Sequence, residues 1–428
     1  MIERRRVWKD SRALVLGILV LSHILFPGER VVWGGSSGEG KRCEGPYRGE
    51  VIDAATLDAV LLKHQRWLVN RHDPEGRRAD LCGTDLRELD FREVDLSGAT
   101  LSGTQMAHAD FSGGKFVKTN FHGANLSEAS LSLSDLREAD FSLAKLNGAD
   151  LRKSDMGRAN LYQASLRGAN LAEASLTLAN LQEADLDDGY LLGASLDGAN
   201  LTQASLREAD LQRVSLYRAI MRKANLAQAD LFRADLQEAD LQGVNLDEAG
   251  LHGANLNEAN LQWASLRGAN LERSILYKAD LRHADISDAN LHEADLLMAD
   301  LRQAHLRGTA LDEAYMAKAD LRGADLEGAD FSWANMVGAN LRSANLTRVV
   351  LFNANLQEAN LLEADLHGAD MRGADIRNAR LTKTDLRGTS LKFVQGLTQE
   401  QLDEACVDEQ TRLPKELTTP QPCQAEEE

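Results

Sequence analysis

A large apolar residue returns at every fifth position from Leu81 to Leu391, with no insertion or deletion between those ends. This period constrains the fold more than any other feature of the chain. It defines 63 units; the recurring residue is Leu in 49 of them and Phe, Met or Ile in the other 14. Two places earlier the residue is Ala in 47 units; the exceptions are Thr, Ser, Val or Gly, with Leu89 the single bulky one. The residue between them is Asp or Asn in 42 units. Five residues carry an α-helix through about 500°, roughly 140° past a full turn, so no helix keeps one residue in five on one face. A strand alternates with period 2 and a heptad coiled coil with period 3.5, which excludes both. A coil with flat sides satisfies the pattern. Each unit forms one side and turns one corner, and four units close a square. The large residue and the small one point inward, where they share a narrow bore, and the other three positions point outward. Coils stacked at the β spacing of about 4.8 Å give a rod of roughly 15–16 coils and about 75 Å.

Units such as Ala169-Asn170-Leu171, Ala184-Asp185-Leu186 and Ala324-Asp325-Leu326 read A-(D/N)-L-x-x. This pattern resembles the pentapeptide repeat family. The resemblance implies an all-β fold, a right-handed quadrilateral β-helix (a pentapeptide-repeat β-solenoid); the hand comes from the resemblance, since the period alone does not give it. A bare coil would expose Leu and unpaired backbone at each end, and the sequence predicts short α-helical caps at both. Thr56 is placed to N-cap a helix running to about Val69, with Leu57, Val60, Leu61, His64, Trp67 and Leu68 on one face. At the far end Leu397 and Leu402 form a hydrophobic staple around a capping box of Thr398 and Gln401.

Four segments follow: 1–35, a signal peptide or N-terminal anchor; 36–78, a linker and N-terminal capping helix; 79–391, the β-helix; and 392–428, a C-terminal capping helix and disordered tail. In the first, Arg4, Arg5, Arg6, Lys9 and Arg12 precede an apolar run from Ala13 to Phe26, ended by Pro27 and Gly28. A basic start, an apolar stretch of this length and small residues near Gly34 and Gly35 describe a secretory signal. The run is short of the roughly 20 apolar residues a spanning helix needs. The expected location is therefore periplasmic or secreted, the alternative being an inner-membrane protein anchored by an uncleaved N-terminus. Cys43 and Cys82 flank the N-terminal cap and Cys406 and Cys423 the C-terminal one. An even number of cysteines in an exported chain allows two bridges, and of three connectivities the local pairing is geometrically easiest.

Chemistry is sparse. The sequence contains no CxxC, no phosphate loop and no GxGxxG at a strand–helix junction. His252 and His292 fall in one outward column but two coils apart, about 10 Å, too far for one metal; His108, His122, His283, His305 and His367 lie on other columns. The Asp and Asn of the repeats read as acceptors for corner backbone groups, as Asx residues are in turns. No enzyme activity, metal or cofactor is expected. Outward positions carry more. Residues 20 apart share a column, and Tyr277, Leu297, Ala317 and Val337 make one column apolar over four coils, with Ile275, Met298 and Tyr315 beside it. These form a candidate patch for an unknown protein partner or for self-association. A second column, Arg282, Arg302, Arg322 and Arg342, is expected to pair with neighbouring carboxylates rather than to bind an anionic surface.

The formal charge is −18, which argues against direct nucleic-acid binding. Some members of the family resemble B-form DNA and protect topoisomerases by mimicking it. DNA of about 75 Å carries roughly 44 charges, whereas the repeats here carry a net −16. The reading favoured by the sequence is a non-enzymatic, exported structural or protein-interaction scaffold of the bacterial cell envelope, presenting ordered side-chain columns on a rigid rod. A DNA-mimicking protein that binds or protects a DNA topoisomerase is the alternative.

Overall fold

The computed structural model describes residue 43 and residues 45–419. The proposed signal or anchor, the first part of the linker, Cys423 and the end of the tail lie outside the described residues. From Asp80 onward, one outward residue per unit forms a parallel bridge to the residue 20 further on: Asp80 to Thr100, Thr100 to Asn120, and so through to Asp375 and Gln395. A register of 20 means four sides per coil. We number the sides in chain order by their inward residues: first (Leu81, Leu101, …), second (Leu86, Met106, …), third (Phe91, Phe111, …) and fourth (Leu96, Phe116, …).

The unit centred on Leu126 shows why five residues close one side. Its five backbone N–H groups all find acceptors, as a buried backbone requires. Leu126 and Glu128 donate to Lys145 and Asn147 of the next coil at 2.7 and 2.9 Å, and Asn125 donates to Thr104 of the previous one at 2.9 Å. Ala129 donates back to the Leu126 carbonyl at 3.0 Å, closing the turn. The remaining N–H, of Ser127, is taken by Oδ1 of Asn125 at 3.2 Å. The Asp/Asn preference is thus the fifth hydrogen bond of the side. The corner residue, two after the inward one, has positive φ in all 63 units, yet only 19 of these residues are Gly. Each of the others sits in the left-handed region at a cost of roughly 1–2 kcal/mol. The neighbouring coils hold it there.

Every inward Leu, Phe, Met and Ile is at most 1% exposed. Each buried Leu contributes roughly 1.5–3 kcal/mol against exposure, most of which offsets chain entropy. The early coils are richest in Phe: Phe91 stacks on Phe111 at 4.9 Å between centroids and Phe121 on Phe141 at 4.6 Å.

Both ends are covered. Helix α1 (Ala54–Val69) buries Leu57, Leu61 and His64, while Val60, Trp67 and Leu68 are half-buried. Its N-cap is Asp53, not Thr56: Asp53 has extended backbone and accepts the Thr56 N–H at 2.7 Å. The helix begins earlier than the sequence suggested because Asp53 supplies the side-chain acceptor, and Thr56 is in its first turn. His64 accepts the Ala79 N–H at 3.0 Å through Nδ1, which ties the helix to the first coil, and burial pushes its pKa below the usual imidazole range. Leu89 and Val94, bulky where Ala is the rule, belong to this first coil and pack on the core with Ile52 and Val60. At the other end α2 (Gln399–Asp403) has the Thr398–Gln401 capping box, and Leu402 is fully buried. Beyond it the ladder continues with a lengthened register, Asp385 to Cys406 and Ser390 to Arg412.

Candidate interaction surface

The outward side chains divide by side. Among the described residues the second side carries no exposed large hydrophobic residue at all. It is a polar, mutually bonded surface. Where a Ser replaces Asp/Asn there, an acceptor on the coil before steps in: Asn147 accepts from both the Ser165 hydroxyl, at 2.7 Å, and the Arg167 N–H, at 3.0 Å. Asp187 does the same for Ser205 and Arg207, and Asp247 for Ser265 and Arg267.

On the first side the arginine column pairs with carboxylates. Arg282 forms a two-point ion pair with Asp280 at 2.7–2.8 Å, and Arg302 and Arg322 repeat it with Asp300 and Asp320. Arg342 turns instead to Glu363, at 3.4 Å. Burial pushes the Asp280 carboxyl up, but Arg282, its backbone N–H and Gln262 outweigh this and hold it below the ordinary range. A shallow groove lies over Arg282, His283, Arg302, Gln303 and Arg322. Trp263 stacks on His283 at 4.0 Å.

On the third side the column His252, Glu272, His292, Asp312 alternates imidazole and carboxylate. His292 Nδ1 lies 2.6 Å from Asp312 and His252 Nδ1 3.6 Å from Glu272. Burial works against the charge of His292, but Asp312 and Glu293 carry its pKa above the usual imidazole value. Among the described residues no group of three or more ligand types is placed to hold a metal.

The fourth side differs. Tyr277, Leu297, Ala317 and Val337 stand at one outward position in four successive coils; Ala317 is buried at 7% exposure and the other three are half-buried against their neighbours. Ile275 and Tyr315 border this stripe on one flank and Met298 on the other, each more than 40% exposed. All six residues of the candidate patch therefore lie on one side within four coils. Lys278 lies over the Tyr277 ring at 4.9 Å and 3.7 Å from Glu258. The sequence reading left out the continuation around the corner. Trp333, at the corner between the third and fourth sides, is 60% exposed and meets Phe352 edge-on at 5.8 Å. The sequence signal for this continuation is Val350 and Phe352, apolar at two further positions where polar residues are the rule.

Near the N-terminal cap a disulfide joins Cys43 to Cys82, with Cα atoms 5.7 Å apart. Cys406 is also disulfide-bonded, and no described cysteine is free.

The family model "Pentapeptide repeats (8 copies)" matches the chain in ten partly overlapping stretches, from 77–113 to 350–388. No curated protein matches. Among solved structures, HetL, a pentapeptide repeat protein involved in heterocyst differentiation regulation from the cyanobacterium Nostoc sp. strain PCC 7120, is 41% identical over 48% of this chain and 89% of its own, with a TM-score of 0.29. Rfr23 from the cyanobacterium Cyanothece 51142 is 40% identical over 23% of this chain and 62% of its own, at a TM-score of 0.17. Trypsin-treated QnrB1, a plasmid-mediated fluoroquinolone resistance protein, is 17% identical over 52% of this chain and 90% of its own, at a TM-score of 0.29.

Proposed function

The chain belongs to the pentapeptide repeat family, a family of right-handed quadrilateral β-helices whose members are generally structural or interaction proteins rather than enzymes; from that premise we propose that it is a non-enzymatic, exported scaffold of the bacterial cell envelope. The observation that carries this reading is the contrast between spent and unspent side chains. Asp and Asn satisfy the corner N–H groups and pair with arginines, so the acidic residues that look chemically active in the sequence are largely occupied in holding the rod. The fourth-side stripe has no such internal duty. A rigid rod that keeps Tyr277, Leu297 and Val337 in register presents a surface for another macromolecule. The arginine–aspartate ladders support this reading over polyanion mimicry, because they offset acidic charge where a mimic would display it.

Export rests on the basic and apolar N-terminal pattern and on paired cysteines, which persist in oxidising compartments. Fractionating the native host and measuring intact mass tests it. The expected result is a mature chain starting near Gly35, in the periplasm or medium, with its cysteines oxidised. A full-length, reduced chain in the cytosol overturns export and moves topoisomerase protection to the front.

A further inference from the structure

We propose that the fourth-side stripe is a self-association surface, and that two rods pair side by side and parallel about a twofold axis running along the stripe. The inference rests on the interaction-scaffold reading and names its partner: a second copy of this chain.

The argument comes from what flanks the stripe. On one flank, in three successive coils, stand Ile275, Asp295 and Tyr315; on the other, in the same coils, Lys278, Met298 and Lys318. Among the described residues neither Asp295 nor Lys318 has an ion-pair partner within the chain. The Asp295 carboxylate accepts the Leu297 N–H, at 3.0 Å, and, among the described residues, no side-chain donor. These two opposite charges therefore lie on opposite flanks of one apolar stripe, one coil apart, and form no ion pair with each other.

A twofold-symmetric contact must be self-complementary. A half-turn about an axis along the stripe exchanges the flanks at constant height. Leu297 then faces Leu297 of the second copy, and Tyr277, Ala317 and Val337 likewise face themselves. Ile275 meets the alkyl stem of Lys278, and Tyr315 meets Lys318, a cation over a ring. Asp295 comes opposite Met298, with Lys278 and Lys318 of the second copy one coil away on either side, about 4.8 Å. An antiparallel pair would instead lay each flank against itself, which moves Asp295 away from both lysines. The second side, without exposed large apolar residues, offers no alternative seat of this kind.

The stripe spans only four coils, so the contact falls in the small, weak class below about 1,000 Å², and association in the micromolar range is expected. Sedimentation velocity of the full chain up to about 200 µM reads it directly. Orientation is read by Leu297→Cys: with no described cysteine free in the parent chain, mild oxidation should link this variant to itself. Asp295→Lys and Lys318→Asp should each raise the dissociation constant about tenfold, and the double exchange should restore it to within about threefold, as a charge pair across an interface does. Circular dichroism checks that these outward variants stay folded. A monomer at all concentrations overturns the proposal. So does a dimer that ignores Asp295→Lys, or one in which Leu297→Cys fails to link. In those cases the scaffold reading still stands or falls on the host fractionation, which these variants do not touch.

Discussion

The second and fourth sides are built from the same unit on the same core, yet they carry opposite surfaces. On the second side Asn147, Asp187 and Asp247 reach across coils to bond neighbours, and no large apolar residue is exposed. On the fourth, Ile275, Met298 and Tyr315 are exposed around an apolar stripe. The backbone hydrogen bonds are alike on both, as Leu246 and Leu256 show, each donating to the next coil at 2.7 Å. Fold and surface are therefore separately encoded: inward positions and corners define the coil, and the outward positions vary with little effect on it.

The most severe test of that separation strikes the shared core. Leu226→Asp on the second side and Leu296→Asp on the fourth should each cost more than about 4 kcal/mol, since both place an unpaired charge in a dry bore. Chemical denaturation should find the two losses alike; a large difference between them would mean that the sides do not share one core. The corner offers a finer test. Gly328, on the second side, has φ +68° with nothing within 4 Å of an added Cβ. Gly328→Ala should therefore cost about 1 kcal/mol from backbone strain alone, and Glu358→Gly on the fourth side, at φ +59°, should gain a similar amount. Thermal melts of the pair would show opposite shifts. Removing the fifth hydrogen bond, by Asp285→Ala on the second side or Asn255→Ala on the fourth, should cost about 1 kcal/mol each.

Acid should treat the two sides alike. Arg87 on the second side and Arg137 and Arg377 on the fourth hold the carboxyls of Asp85, Asp135 and Asp375 below their ordinary pKa of 3.8. A depressed carboxylate pKa gives stability that is complete above the unfolded value and lost as pH falls below it. The erosion is therefore expected below about pH 3.8 and should be small for such partly exposed pairs; an acid titration followed by circular dichroism checks it. The smallest effect concerns stability at the stripe itself. Leu297→Ser and Ser287→Leu, outward on the fourth and second sides, should each shift stability by no more than about 0.5 kcal/mol, while only the first lowers self-association.

Most of the fold was legible because one side takes one short unit and the unit never slips. Leu81 to Leu391 stay in register, and Asn125 and its counterparts signal the corner bond through their type alone. The stripe was legible for the same reason, as Tyr277 and Leu297 interrupt a column rule. Other features were not. Asp53 and Thr56 are both residue types that cap helices, and it is the extended backbone at Asp53 that assigns the N-cap to it. The left-handed corner was hidden because Glu, Lys and Arg outnumber Gly there; tertiary stacking overrides the local preference. The Trp333–Phe352 contact joins a corner to the coil after it, 19 residues on, a pairing that no single column displays.

The register of 20 has a consequence for how such a chain changes over generations. Excising one five-residue unit, for example 246–250, leaves every inward residue inward, yet it rotates all that follows by a quarter turn relative to what precedes. The stripe would then continue the third side's columns rather than the fourth's. Excising four units shortens the rod by one coil and preserves every alignment. Indels in multiples of five are thus rephasing events: they compose new faces from old ones, at constant core, without a single substitution.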